Sequence, residues 1–83
     1  MIRITAKPLA TGTLVKIDGD LDREDVSEVN AVCGSAAGPV VLDLADLRTL
    51  DSDGEECLRR LIDDGATVDA AAPYIRVRLG LSA

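Results

Sequence analysis

The sequence predicts a small α/β domain in which a mixed β-sheet is covered by helices. Apolar and polar residues alternate near the N-terminus, a continuous apolar run lies in the middle of the chain, and apolar residues at helical spacing follow two acidic turns. In chain order these segments give the arrangement β-β-α-β-α-β-α. A chain of 83 residues has room for one hydrophobic core, so we expect a single domain over 1–83.

The first two strands are predicted to form an antiparallel hairpin. Residues 2–6 and 14–17 alternate at period two, and the turn-forming stretch 8–12 separates them. The triplet Asp18-Gly19-Asp20 is then expected to break the second strand.

An acidic turn predicts the start of the first helix. Asp22 is the expected N-cap, and Asp25 places a second carboxylate in the first turn, where the helix dipole favours negative charge. Gly34 and Gly38 are expected to end the helix. Its apolar positions fall at helical spacing: Val26, Val29, Val32 and Cys33.

The apolar run 39–44 predicts a strand that is covered on both faces or lies in the centre of the sheet. A second helix is then predicted from the capping-box pattern S-x-x-E, in which Ser52 is the N-cap and Glu55 the reciprocal partner. Such a cap contributes about 1 kcal/mol. The apolar stripe of this helix consists of Cys57, Leu58, Leu61 and Ile62.

The end of the chain allows two assignments. Residues 67–70 form a weak strand, after which Pro73 fits the first position of a helix with Ile75 and Leu79 on one face. Residues 75, 77, 79 and 81 also alternate at period two, so a strand within 73–81 remains the alternative.

Composition excludes several kinds of partner. The formal net charge of −6 leaves no basic surface for phosphates, and Tyr74 is the only aromatic side chain on which a base could stack. No apolar run approaches the ~18 residues of a membrane helix. We therefore expect a cytoplasmic protein that binds no nucleic acid and does not insert into a membrane.

The sequence also argues against catalysis, metals and cofactors. The chain has no histidine, which excludes Ser-His and Cys-His nucleophiles and the usual zinc ligand sets. The acidic cluster around Ser52 lacks the third aspartate of a calcium loop. Cys33 and Cys57 are interpreted as buried thiols, with a redox pair or a disulfide as the alternative. We expect no enzyme activity, no metal site and no cofactor.

Three short motifs follow one another along the chain: the strand and acidic turn of residues 14–22, the apolar run of residues 40–47, and Asp51-Ser52-Asp53-Gly54 at a predicted helix start. Their order and spacing resemble the STAS family, the domains of sulfate transporters and anti-sigma-factor antagonists. The corresponding segments of that family are a strand with a G-E-L-D turn, an apolar strand, and a D-S-S-G motif at the start of a helix. The resemblance runs from Leu14 to Leu81.

This resemblance implies a non-catalytic, protein-binding regulatory module whose partner is an anti-sigma-type serine kinase or a larger signalling assembly. The implied switch is the corner Asp51–Gly54. A second acidic cluster, Asp18, Asp20 and Asp22, is interpreted from its position as turn formation and helix capping, with partner contact or cation binding as the alternative. The antagonists are phosphorylated on the second serine of the motif, where this chain has Asp53. In stressosome proteins the modified residue directly follows the aspartate, so Ser52 remains a possible phosphorylation site.

STAS domains usually continue beyond the position of Gly80-Leu81 with another strand and a helix. A domain that ends here is expected to leave apolar surface near its C-terminus uncovered, which predicts a homo-oligomer. The alternative function is therefore a structural or oligomer-forming accessory subunit in which the D-S-D-G motif only caps a helix.

Overall fold

A computed structural model describes residues 1–81 of the chain. The elements in chain order are β1 (Ile2–Leu9), β2 (Gly12–Leu21), a 3₁₀ turn (Arg23–Asp25), α1 (Val26–Gly34), β3 (Val40–Leu44), β4 (Leu47–Leu50), α2 (Ser52–Asp63), β5 (Thr67–Ala71) and α3 (Pro73–Arg78). The predicted class, a mixed sheet with helices packed against it, is confirmed.

The five strands form one sheet in the order β1-β2-β3-β5, with β4 also paired to β2. Only β1 and β2 are antiparallel; the other pairings are parallel. The long strand β2 is the organising element, because its first half pairs with β3 and its last residues pair with β4. This arrangement brings the C-terminal end of β2 beside the segment that leads into α2.

The core lies on one face of the sheet, between the strands and the three helices. Val15 of β2 pairs with Leu42 of β3, and both are fully buried. The helices cover them with residues of the same hydrophobic cluster, such as Val29, Leu58 and Ile75. Full burial of side chains of this kind contributes about 1.5–3 kcal/mol each.

Strand β3 departs from the prediction of burial on both faces. Its burial alternates after Val41, and Asp43 lies between the buried Leu42 and Leu44. The opposite face of the sheet carries polar side chains instead. There the Nζ of Lys16 lies 2.7 Å from Asp46 Oδ2 and 3.0 Å from Asp18 Oδ1, and these carboxylates raise the pKa of Lys16.

The hairpin is tighter and longer than predicted. Strand β1 continues through Pro8 to Leu9, so the turn is confined to residues 10–11 rather than 8–12. Proline is tolerated there because β1 is an edge strand.

Strand β2 also does not break at Asp18-Gly19-Asp20. Gly19 adopts a positive φ of 99°, and the pairing with β4 shifts in register between Gly19 and Asp20. The turn-forming residues therefore produce a local irregularity in β2 instead of ending it, and the strand continues to Leu21.

The other strands and helices agree with the sequence predictions in part. Strand β4 was not predicted, whereas the strand β5 and the helix after Pro73 are confirmed. The first helix was expected to start directly after Asp22, but Asp22 caps a 3₁₀ turn over Arg23–Asp25 and α1 begins at Val26. The strand alternative for 73–81 is wrong. Ile75 and Leu79 are buried in the core. Within residues 1–81, the exposed large apolar side chains near the C-terminal end are therefore Val77, which is 75% exposed, and Tyr74, which is 51% exposed.

Candidate functional site

The predicted switch corner is the start of α2, and Asp51 fixes its backbone. Asp51 Oδ1 accepts a hydrogen bond from the Gly54 N–H at 2.8 Å, and Oδ2 accepts one from the Arg23 N–H at 2.9 Å. The Asp51 N–H donates to the Leu21 carbonyl at 3.1 Å. The hydrogen bond from Gly54, followed by that from Arg23, lowers the pKa of the Asp51 carboxyl.

The predicted capping box at Ser52 and Glu55 is wrong, because the N-cap is Asp51. Asp51 has extended backbone angles and caps the helix with its side chain, whereas Ser52 is already the first helical residue. Glu55 does not reach back to Ser52; its Oε1 accepts a hydrogen bond from Arg78 Nε at 2.6 Å. The motif still starts the helix, but one residue earlier than expected.

Gly54 holds this corner tightly against the sheet. It is buried, and a Cβ at this position would lie 2.7 Å from the Leu21 carbonyl oxygen and 3.3 Å from the Leu50 Cβ. Only glycine allows the first turn of α2 to approach the end of β2 so closely.

Ser52 and Asp53 are presented to solvent by this rigid turn. Both are exposed, and within residues 1–81 neither side chain takes part in a hydrogen bond or ion pair. The corner thus combines one carboxylate used for structure with a hydroxyl and a second carboxylate that are available to a partner.

A groove of about 360 Å³ opens beside Asp53, between α1 and α2. Arg60 and Glu56 form an ion pair of 3.1 Å at its edge. The sequence analysis did not predict this groove, although the spacing of Asp53, Glu56 and Arg60 places them on one face of α2. The groove is lined by Arg23, Val26, Ser27, Asn30, Asp53, Glu56, Cys57 and Arg60.

The two other predicted contacts, Asp20 and Asp22, lie at different places. Asp22 caps the 3₁₀ turn next to Arg23, whose N–H binds Asp51, so it belongs to the corner. Asp20 Oδ1 accepts a hydrogen bond from Thr49 Oγ1 at 2.9 Å and lies 3.7 Å from Arg48 Nε. Asp20 therefore contacts β4. Its side chain lies on the face of β2 opposite to the buried side chain of Leu21.

The two cysteines are free and buried, one on each side of the α1–α2 contact. Desolvation raises the pKa of both thiols, and Cys57 Sγ lies 3.5 Å from Asn30 Oδ1. Within residues 1–81, no three cysteine or acidic side chains are grouped so that they could hold a metal ion. In the same residues no helix is long and apolar enough to cross a membrane.

Comparison with known proteins identifies the fold. No protein-family model and no curated protein sequence matches the chain. Among solved structures, it is similar to the anti-sigma factor antagonist SpoIIAA in its unphosphorylated form, with a TM-score of 0.70 and 15% sequence identity over 96% of this chain and 84% of SpoIIAA. The fold predicted from the sequence motifs is therefore confirmed: the chain has the STAS fold of SpoIIAA.

Proposed function

We propose that this chain is a non-catalytic, protein-binding regulatory module of the anti-sigma factor antagonist type, and that residues 1–83 act as one domain in the cytoplasm. The proposal rests on one observation: at the start of α2, the residues that fix the backbone differ from the residues that are exposed. Asp51 and Gly54 fix the turn, while Ser52 and Asp53 remain exposed beside a groove. Preorganised, exposed polar groups of this kind suit recognition by another protein.

The chemistry of the corner supports binding rather than catalysis. Both carboxylate oxygens of Asp51 accept backbone hydrogen bonds, and the lowered pKa that results makes this carboxylate a weak general base at neutral pH. Ser52 has no imidazole to activate it, because the chain has no histidine. These features support a surface that binds another protein rather than one that catalyses a reaction.

Asp53 determines how the proposed switch is expected to be regulated. It stands at the position of the second serine of D-S-S-G and carries a permanent negative charge, although one carboxylate carries less charge than a phosphate. We propose that a serine kinase of the anti-sigma type, or a signalling assembly that contains one, recognises this corner together with Asp22. Asp20, which the sequence also suggested as a contact, lies on the other face of β2 against Thr49 and Arg48 and is expected to contribute little. Ser52 is the hydroxyl that such a kinase could phosphorylate.

The test begins with the kinase recovered from native cytosol by the immobilised protein. The purified kinase is titrated with the parent protein and with Asp53→Lys, and we expect at least a tenfold loss of affinity in a variant that still unfolds cooperatively. Its unfolding midpoint should fall slightly, because a cation replaces a carboxylate in the first turn of α2, where the helix dipole favours negative charge. Asp63→Lys is the matched control, because Asp63 is exposed at the opposite end of α2 and the charge change is the same. Equal affinity of the folded Asp53→Lys protein and the parent would overturn the proposal.

A second comparison concerns phosphorylation. Asp53→Ser restores D-S-S-G, and we expect mass spectrometry to locate phosphate on residue 53 of the variant. The parent protein should be modified at Ser52 or not at all.

The alternative function is a structural or oligomer-forming accessory subunit. The exposed Tyr74 and Val77 favour it, because they form an apolar surface outside the corner. Self-association together with the failure of any kinase to bind the corner would support this alternative.

A further inference from the structure

A groove of about 500 Å³ lies at the end of the fold opposite to the switch corner. It opens between the C-terminal ends of α1 and α2, beside the segments that lead into β3 and β5. Its floor is apolar, because Val40, Leu61 and Ala66 line it and are partly buried against the core. Neither the fold nor the proposed switch uses this groove.

Glycines keep the groove open. Gly34 is the last residue of α1 and Gly65 follows the end of α2, and a Cβ added to either residue would meet no atom within 4 Å. The lining therefore leaves space that ordinary side chains would fill. A volume of this size falls within the range of small-molecule sites, about 300–1,000 Å³.

The rim of the groove favours a positively charged group. The C-terminal ends of α1 and α2 meet here, and the dipole of each helix places partial negative charge at that end. Asp64 adds a full negative charge to the rim. Among the described residues that line the groove, none is a lysine or an arginine, so this charge is not neutralised locally.

The acidic pair Asp63 and Asp64 is unfavourable for α2 itself. A helix dipole disfavours negative charge at the C-terminus and favours basic residues there. The basic residue of the last turn, Arg60, is instead paired with Glu56. Within residues 1–81, neither Asp63 nor Asp64 uses its side chain in a hydrogen bond or an ion pair. Residues that oppose the local structure in this way are typical of functional sites.

We propose that this groove binds a small organic cation with an apolar tail, an alkylamine or alkylguanidine. The charged head lies at Asp64 on the rim, and the tail covers the floor formed by Val40, Leu61 and Ala66. The lysine side chain of a partner protein fits less well, because it would enter with its charged end first and place that end on the apolar floor. This site does not depend on the kinase contact, which lies at the other end of α2.

Titration of the isotope-labelled chain with pentylamine, at pH 7 and constant ionic strength, tests the proposal through the amide chemical shifts. We expect saturable shifts centred on Gly34, Gly65 and Ala66, with a dissociation constant on the order of 10⁻³–10⁻² M for so small a ligand. The uncharged 1-pentanol should bind at least threefold more weakly. Nα-acetyl-lysine methylamide, which carries a backbone where pentylamine has its free tail, should also bind at least threefold more weakly.

Two neighbouring carboxylates provide a matched pair of variants. Asp64→Asn removes the charge on the rim and should weaken pentylamine binding at least threefold. Asp63→Asn makes the same change one residue away, but Asp63 does not line the groove, so the affinity should change less than 1.5-fold. Both variants should unfold at the same or a slightly higher midpoint than the parent, because each loses a carboxylate that opposes the helix dipole.

Gly34→Leu fills the groove without a clash, since its Cβ meets nothing within 4 Å and the φ of Gly34 is not positive. We expect at least a tenfold loss of pentylamine affinity with no loss of stability, and a smaller loss of affinity in Gly34→Ala. Shifts that do not saturate, equal affinity for pentylamine and 1-pentanol, equal effects of Asp64→Asn and Asp63→Asn, or unchanged affinity in Gly34→Leu would each overturn the proposal. Tighter binding of the lysine derivative than of pentylamine would overturn it in favour of a partner's side chain.

Discussion

The two acidic turns, Asp18–Asp22 at the end of β2 and Asp51–Asp53 at the start of α2, look alike in sequence but use their carboxylates differently. In the first turn Asp18 pairs with Lys16, and Asp20 accepts a hydrogen bond from Thr49. In the second, Asp51 alone makes the structural contacts and leaves Asp53 exposed. The difference shows that acidic clustering by itself does not identify a binding surface.

The cause of the difference is the secondary structure around each turn. Asp18 and Asp20 lie within strand β2, where side chains point alternately to the two faces of the sheet, and they meet polar side chains on their own face: Lys16 of β2 and Thr49 of β4. The second turn begins an α-helix, where one side chain can cap the free N–H groups and the next two residues point outwards. The local element therefore decides which carboxylates remain available.

The largest expected effect comes from the glycines that shape these turns. Gly54→Ala would place a Cβ against the Leu21 carbonyl and should cost about 2–3 kcal/mol of the free energy of unfolding. Gly19→Ala should also be destabilising, by at least about 1–2 kcal/mol, because its φ is positive and its Cβ would lie 2.8 Å from the backbone carbonyl oxygen of Met1. Urea unfolding measures both.

Gly34→Ala is the control for these substitutions, since nothing lies within 4 Å of its added Cβ and its φ is not positive. We expect it to be neutral or slightly stabilising. If Gly54→Ala were as stable as Gly34→Ala, the close approach of α2 to β2 would be wrong.

The next effect tests which residue caps α2. Asp51→Ala removes the acceptor for two backbone N–H groups, and we expect the melting temperature to fall by about 4–8 °C. Ser52→Ala should change it by less than about 2 °C, because the exposed hydroxyl of Ser52 makes no hydrogen bond within residues 1–81. A larger loss in Ser52→Ala than in Asp51→Ala would restore the capping box predicted from the sequence.

The lowered pKa of Asp51 predicts a pH dependence of stability. A carboxyl whose pKa is lower in the folded state stabilises the protein above its unfolded pKa of about 3.9, and this contribution is lost as the pH falls through the folded value. Asp51→Asn should therefore flatten the stability profile below about pH 4. Chemical denaturation at pH 2–7 checks this, with Asp53→Asn as the control that should retain more of the slope.

Most of the fold could be predicted because its signals are local. The apolar run of β3 and the apolar stripe of α2 are continuous in sequence, and both elements lie where predicted. Strand β4 was missed because it has only four residues, with apolar side chains at its two ends, and its pairing partner is the distant β2. Strand β2 continues through Gly19 because pairing with β1 and β4 outweighs the local turn preference.

The candidate site was predictable only in part, because its geometry depends on contacts between distant segments. The D-S-D-G motif predicts a helix start, but both Asp51 and Ser52 are suitable N-caps. The second hydrogen bond of Asp51 comes from Arg23, and no local pattern indicates it. The groove likewise requires α1 and α2 to be placed side by side.

Among these substitutions, Asp20→Asn should disturb the protein least. Asp20→Asn keeps an oxygen that can accept from Thr49 and loses only the exposed pairing with Arg48, so the free energy of unfolding should change by less than about 0.5 kcal/mol. Asp22→Asn removes a charge beside Arg23, next to the corner itself. Asp53→Asn removes the exposed charge on α2.

Titration of the kinase with these three variants should rank their losses of affinity. We expect the loss to be largest for Asp53→Asn, smaller for Asp22→Asn and less than twofold for Asp20→Asn, because Asp20 lies on the opposite face of β2 from the helices. Asn preserves the size of each side chain, so the ranking reports charge rather than shape. If Asp20→Asn weakened binding as much as Asp53→Asn, the partner would have to cover both faces of the sheet edge, and the two turns would form one continuous acidic surface.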